Sequence, residues 1–403
     1  MGSVEQLLFN HNNTIVSVAS AITAVVLLLT WHRRRSQQQQ LQQQNASISG
    51  AQEKPKTFPK IEPHPEFDWQ ATPPVKFRPF KPKYHLSMSI SRLNPSELVQ
   101  MDSTYLSRLE FRRSVMAASS SAPHVLGVVE DPSMSAGAKL AVQELYTWIF
   151  KDYLPTRFPF IYKLIDKSSK DEKPTVPSQG GSGSSLYTLN QATNDLVPVT
   201  PPEDTKEALQ ILGAHVDQDF LFLLPAPDGD GYALYAFVTC CPNGFDSAEK
   251  LGKKLRDIHT PVPGYKEKLE KSMDRFFAKI EVGEYVQRVN WSFTTTDKLY
   301  TPGGNHLYEG EEVSDAEKDA IDISKVHLRC ERQVLHRLPS SRAVVFSFKT
   351  YMYSLPELKA EGPSAAQEIA DGIDGLKLGN VPDMHFYKRA VVWGDAVKAY
   401  LLS

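Results

Sequence analysis

The sequence predicts an α+β protein: an antiparallel sheet core with flanking helices, preceded by an N-terminal transmembrane helix. Three observations lead there. Short period-2 apolar runs cluster from residue 220 onward, each of strand length. Stretches with 3.6-residue apolar spacing flank and interrupt them, at residues 134–153, 246–258 and 266–280. An uncharged apolar stretch from Thr14 to Trp31 is followed at once by Arg33, Arg34 and Arg35.

That first stretch, about 18 residues, just crosses a bilayer core of roughly 30 Å. Its basic cluster follows the apolar run instead of preceding it, and no small-residue cleavage site comes after, so an uncleaved anchor is expected rather than a signal peptide. The positive-inside rule then puts the N-terminus outside and the body in the cytoplasm, with the endoplasmic reticulum the expected membrane ahead of the mitochondrial outer membrane. Residues 36–78, glutamine-rich and then rich in Pro and Lys, hold too little apolar area to order themselves and read as a disordered tether. The chain therefore divides into an anchor (1–35), a tether (36–78) and one domain (79–403), in which a Gly/Ser run marks residues 167–201 as a flexible insertion.

Within the domain, Asn94-Pro95-Ser96-Glu97 has the cap, first-turn proline and acid of a helix start. A helix over 134–153, ending before Pro155, presents Ala138, Ala141, Val142, Leu145, Trp148 and Ile149 on one side, and these helices form an N-terminal cap. Residues 220–224 and 232–240 read as strands joined by the turn Asp228-Gly229-Asp230-Gly231. A helix opening at Asp246 and running to Ile258 comes after them, then another over 266–280. Strands come next at 285–293, 326–338 and 342–352, the last two bracketing Pro339-Ser340-Ser341-Arg342 as a hairpin. Residues 365–403 should make one or two helices around Phe386-Tyr387-Lys388. Strand, strand, helices, strand, strand, strand is the order of a PAS-like domain, whose antiparallel sheet holds ligands against its helices.

Alternation places Arg329, Glu331 and Gln333 on one face of the fourth of these strands, and Leu328, Cys330 and Val334 on the other. Because this polar row lies between apolar neighbours, it is expected to line a cavity and not to face water. A net charge of −2 argues against nucleic acid as partner. Cys240, Cys241 and Cys330 suit a reducing compartment and lack the spacing of a zinc or iron–sulfur site.

The run Arg329-x-Glu331-Arg332-Gln333, then Leu335-x-Arg337-Leu338-Pro339, with Ile258-His259-Thr260-Pro261-Val262-Pro263-Gly264-Tyr265 and Arg288-Val289-Asn290-Trp291 upstream, resembles the haem-dependent oxidative N-demethylase family, alpha-subunit-like haem proteins. The likeness covers roughly residue 79 to the C-terminus. It implies a haem iron cofactor and oxidation of an N-methyl group of a small alkylamine by O2 and two electrons, giving a carbinolamine that falls apart to formaldehyde and the demethylated amine. Electrons would come from a separate flavin or iron–sulfur reductase. His259 is the expected axial ligand, since Pro261 and Pro263 stiffen the chain just after it and fix its ring; His215, in Gly213-Ala214-His215-Val216-Asp217-Gln218-Asp219, competes for that role. Arg288, Arg329 and Arg332 are candidates for the propionates. Asp219, Glu331 and Trp291, with Tyr235 and Tyr351, are candidates for the amine and oxygen side. Two rival readings stand beside this: a PAS-like haem or small-molecule sensor that turns nothing over, and a membrane-anchored glycosyltransferase using Asp228-Gly229-Asp230, which fits a hairpin turn better.

Overall fold

Seven strands of the computed structural model form one antiparallel sheet in the order β1-β8-β9-β10-β6-β7-β2. They are β1 (Ser91–Arg92), β2 (Leu126–Val128), β6 (Asp219–Pro225), β7 (Tyr232–Val238), β8 (Tyr285–Thr294), β9 (His327–Arg337) and β10 (Val344–Ser354); β3 (Tyr162–Asp166), β4 (Leu186–Asn190) and β5 (Asp195–Pro198) make a small second sheet. The structure describes residues 57–118, 120–167 and 185–403. Among them no helix is long and apolar enough to cross a membrane, and the expected anchor from Thr14 to Trp31 lies outside the described residues.

The antiparallel α+β class and the expected strands are present. The hairpin of β9 and β10 pairs Arg337 with Val344 and runs in register to His327 opposite Ser354, carried around the turn by Arg342 at φ 60°. Both faces of this sheet are covered. On one face Phe220, Phe222, Val334 and Val345 pack under α1 (Tyr105–Ala117), α2 (Pro132–Thr147) and α3 (Thr205–His215). Toward the far end of that face Trp291, Phe293, Leu328 and Cys330 meet α5 (Pro363–Leu378) and α6 (Ala390–Leu402). On the other face Leu221, Leu223, Leu335 and Phe348 pack against Leu255, Tyr265, Leu269 and α4 (Glu270–Lys279). Each fully buried aromatic here contributes roughly 1.5–3 kcal/mol of transfer free energy.

Four expectations need correction. The helix read across 246–258 is broken: a single turn at Ala248–Lys250 gives way at Gly252, φ 78°, and helix resumes only at Leu255–Ile258. The helix read over 266–280 splits into Tyr265–Lys268 and α4. The cap at Asn94 forms, its side chain accepting from the Ser96 N–H, but it caps one turn, Pro95–Glu97. The insertion drawn over 167–201 contains β4, which pairs with β3, and β5, which pairs with β4, so only its residues 168–184 fall outside the described chain.

The tether also ends earlier than the sequence suggested. Phe58 stacks on Trp148 at 4.3 Å, Ile61 is buried, the His64 N–H donates to the Arg157 carbonyl at 2.7 Å, and Arg78 pairs with Glu361. Residues 57–78 are thus part of the folded body, because their sparse aromatics find apolar slots that composition alone cannot reveal.

Candidate functional site

Register places the side chains of one sheet face. Arg288 is opposite Gln333, Asn290 opposite Glu331 and Ser292 opposite Arg329, while Phe348, Thr350 and Met352 of β10 continue the same rows. The polar row is therefore not a solvated edge: Arg329 and Glu331 are 0% and 3% exposed. Around it, Glu331 accepts from the Gln333 amide at 2.8 Å, and Lys388 donates to Asn290 Oδ1 at 3.1 Å while its Nζ lies 5.3 Å over the Tyr84 ring.

Several buried polar atoms on this face have no hydrogen-bond partner among the described residues: Arg288 Nε, Arg329 Nε, Glu331 Oε1 and Thr350 Oγ1. Such atoms cost free energy unless something satisfies them. Positive charge is also in excess here. Burial draws Lys388 down to about 8, helped by Arg288, and burial draws Lys250 down to about 8 against the pull of Glu331; burial lowers Arg288 as well, opposed by Tyr84 and Glu331. Lys250 Nζ sits 3.9 Å over the Phe245 ring and, like Lys388, forms no ion pair among the described residues.

His259 closes the short helix Leu255–Ile258 at the edge of this face. Its Nδ1 is 2.8 Å from the Leu255 carbonyl, so Nδ1 carries the proton and Nε2 keeps a lone pair; its ring stacks on Tyr265 at 4.9 Å and 14°. Burial lowers it to about 4, with Lys250 and Arg288 adding to the depression, so the imidazole is neutral at physiological pH. Just before Tyr265, Gly264 at φ 69° packs against Val381, where a Cβ would sit 2.7 Å from the valine side chain.

The remaining candidates have other employment. Arg329 donates to the carbonyls of Cys241, Pro242 and Leu299, locking two loops. Arg332 points to the opposite face and donates to the Glu97 and Leu98 carbonyls and to Gln287. Asp219 accepts from Arg112 at 2.6 Å and from the N–H groups of Cys240 and Cys241, so both of its oxygens are engaged. Trp291 pairs with Cys330 across the opposite face and meets the Phe80 ring at 4.9 Å, a core residue and not a cage wall. Tyr235 donates to the Pro225 carbonyl, and Tyr351 shares the face of Trp291. His215 lies away from the row, lining a cavity of about 360 Å³ with Arg113, Asp195 and Glu207. Asp228 and Asp230 are taken up by Lys254 and Arg256.

A profile of the family described as haem-dependent oxidative N-demethylase, alpha subunit-like, matches residues 89–398. The chain belongs to that family. The match carries haem-dependent oxidative demethylation with it, and the chemistry of the face can be tested against haem. An anchored neutral imidazole with a free Nε2 suits iron, and an unpaired arginine with two depressed lysines suits propionates. The donor set of this haem-dependent oxidative N-demethylase-like chain fits the group. Of the residues that line this face, sequence reasoning singles out His259, Arg288 and Glu331 as candidates; Lys250, Lys388, Tyr84 and His306 sit in loops and helix ends, where no periodicity marks them.

Proposed function

We propose that this chain binds haem against the Arg288 and Glu331 face and oxidises an N-methyl group of a small alkylamine with dioxygen, taking two electrons from a separate flavin or iron–sulfur reductase. Methylamine, O2, two electrons and two protons give demethylated amine, formaldehyde and water. The observation that carries the reading is the cationic excess of that buried face beside an imidazole whose Nδ1 is tied to a carbonyl. The order β7-β6-β10-β9-β8, which is 2-1-5-4-3 when these five are numbered along the chain, supports the PAS-like reading of the sheet.

Bound haem would supply the oxidising chemistry. The protein's own part is orientation and charge. His259 would offer Nε2 to iron, with the Leu255 carbonyl fixing the tautomer and Tyr265 the ring plane. Arg288, Lys250 and Lys388 would hold the carboxylates of the porphyrin. Glu331 keeps Oε2 on Gln333 and leaves Oε1 to accept a hydrogen bond from an alkylammonium. Phe348 and Leu335 exclude water from this floor. An anchor at residues 1–35 would keep the domain at the cytoplasmic face of a membrane, beside a membrane-bound reductase, raising its effective concentration.

The full chain expressed with haem supply tests this. A Soret band lost or displaced in His259→Ala, and amine-dependent formaldehyde release with a reductase present, are the expected results. A folded but colourless protein overturns the proposal, and haem that binds gas reversibly without turnover points instead to a sensor.

A further inference from the structure

We infer that His306 is a second nitrogen ligand for the same iron, so that resting protein holds haem between two imidazoles and an external ligand must displace His306 to reach the metal. This rests on the haem reading above and adds a residue to it.

Four features of the fold support it. The first is the tautomer. His306 Nδ1 lies 3.3 Å from the Gly244 carbonyl, and a carbonyl only accepts, so the proton is on Nδ1 and Nε2 keeps its lone pair, as in His259. The second is placement: the two carbonyls that hold these rings, Gly244 and Leu255, begin and end one stretch of wall, and Lys250 lies within it and acts electrostatically on both imidazoles.

Orientation is the third. The His306 ring stacks on Tyr387 at 4.4 Å and 22°, and the chain on either side is clamped. Asn305 donates to Asn243 Oδ1 at 2.7 Å and accepts from Thr294 at the end of β8, and the Leu307 N–H donates to the Tyr387 carbonyl at 3.0 Å. The fourth is the close approach at Gly244: φ there is 74°, and a Cβ would stand 2.6 Å from His306 Nδ1, so only glycine admits this contact.

His336 provides the contrast. It too stacks on a tyrosine, Tyr285 at 4.6 Å, but neither of its ring nitrogens has a partner among the described residues and it lies on the opposite sheet face. A histidine kept only for packing needs no carbonyl to choose its tautomer. His306 has one, together with a half-buried ring and no carboxylate partner among the described residues.

The experiment is spectroscopic and uses the full chain loaded with haem. Ferric wild type should be six-coordinate and low-spin; His306→Gly should convert it to high-spin, and added free imidazole should restore the low-spin spectrum. If His306→Gly does not fold, wild type decides alone: its rate of cyanide binding should level off at high cyanide, where loss of His306 becomes limiting, and a rate that rises linearly throughout overturns the inference. A high-spin wild type, or a low-spin spectrum unchanged in His306→Gly, also overturns it while leaving the haem reading intact; a protein that takes up no haem refutes the haem reading instead.

Discussion

A buried guanidinium can serve architecture or a ligand, and its partners decide which. Both Arg329 and Arg288, on the same face, have a buried Nε without a partner among the described residues, but Arg329 also donates through a terminal nitrogen to three backbone carbonyls, whereas Arg288 makes no such bond there. Arg329→Met should therefore cost about 2–4 kcal/mol, since charge-assisted bonds are lost and buried carbonyls left unmet. Arg288→Met should change stability by no more than about 1 kcal/mol, because an apolar side chain replaces a charge that burial already penalises. Its expected defect is haem retention, with transfer to apomyoglobin faster by on the order of tenfold; equal effects of the two substitutions on urea unfolding would refute the distinction. His336 carries a pH prediction. Burial depresses it to about 3, below its unfolded value, so the unfolded chain takes up a proton first as pH falls below about 6.5. Stability contributed by the neutral ring is full above that pH and declines by roughly 1.4 kcal/mol per unit down to the folded value. His336→Phe should flatten the loss between pH 7 and 5 in urea titrations, and an unchanged slope would show that other groups dominate. Alternation in the sequence was enough to place Arg329 and Glu331 on one face. It could not tell which arginine would be satisfied, because the answering carbonyls at Cys241, Pro242 and Leu299 come from loops distant in sequence.

Among the elements, α5 shows how a helix can serve a site it does not touch. Gly372, Gly375 and Gly379 lie along one side, and a Cβ at each would meet Phe80, the Lys81 carbonyl or the Tyr84 carbonyl, the last at 1.4 Å. Into this groove the segment from Phe77 to Leu86 is laid, with the Tyr84 N–H donating to the Gly375 carbonyl at 2.9 Å and the Leu86 N–H to Asn380 at 2.7 Å. Tyr84 in turn lies under Lys388. Gly379→Ala must therefore lift the Tyr84 backbone, and the expected result is faster limited proteolysis near residue 84 together with a weakened Soret band, while the strands remain. Unaltered proteolysis would mean that the groove adapts. In the sequence these glycines fall in a stretch, 365–403, that reads only as one or two helices, and their purpose depends on a segment some three hundred positions earlier. The break at Gly252 escaped for a related reason: apolar spacing continued through it, and only the left-handed turn ends the helix. His306 was missed because a Gly-Gly-Asn loop has no period to read.

For the whole molecule, the antiparallel α+β class and the order of strands and helices along the chain follow from patterns that local sequence carries, but the extent of the folded body does not. Composition drew that boundary at residue 79, yet packing begins by residue 57: Phe58 on Trp148, Ile61 in the main core, Trp69 against Tyr105 at 5.8 Å, and the Glu62 N–H on Ser96. The Tyr353 hydroxyl bridges the Val75 carbonyl and the Phe77 N–H, tying the same segment to β10. A fragment starting at Pro79 would strip this cover from Trp148 and Tyr105 and leave the Tyr353 hydroxyl without its partners. Burial of Phe58 and Ile61 alone accounts for roughly 3 kcal/mol or more. A fragment starting at Thr57 should therefore unfold at distinctly higher urea than one starting at Pro79, with a steeper transition because more surface is exposed on unfolding. Coincident urea curves for the two would mean that residues 57–78 add no stability, and that the tether is as long as composition alone implies.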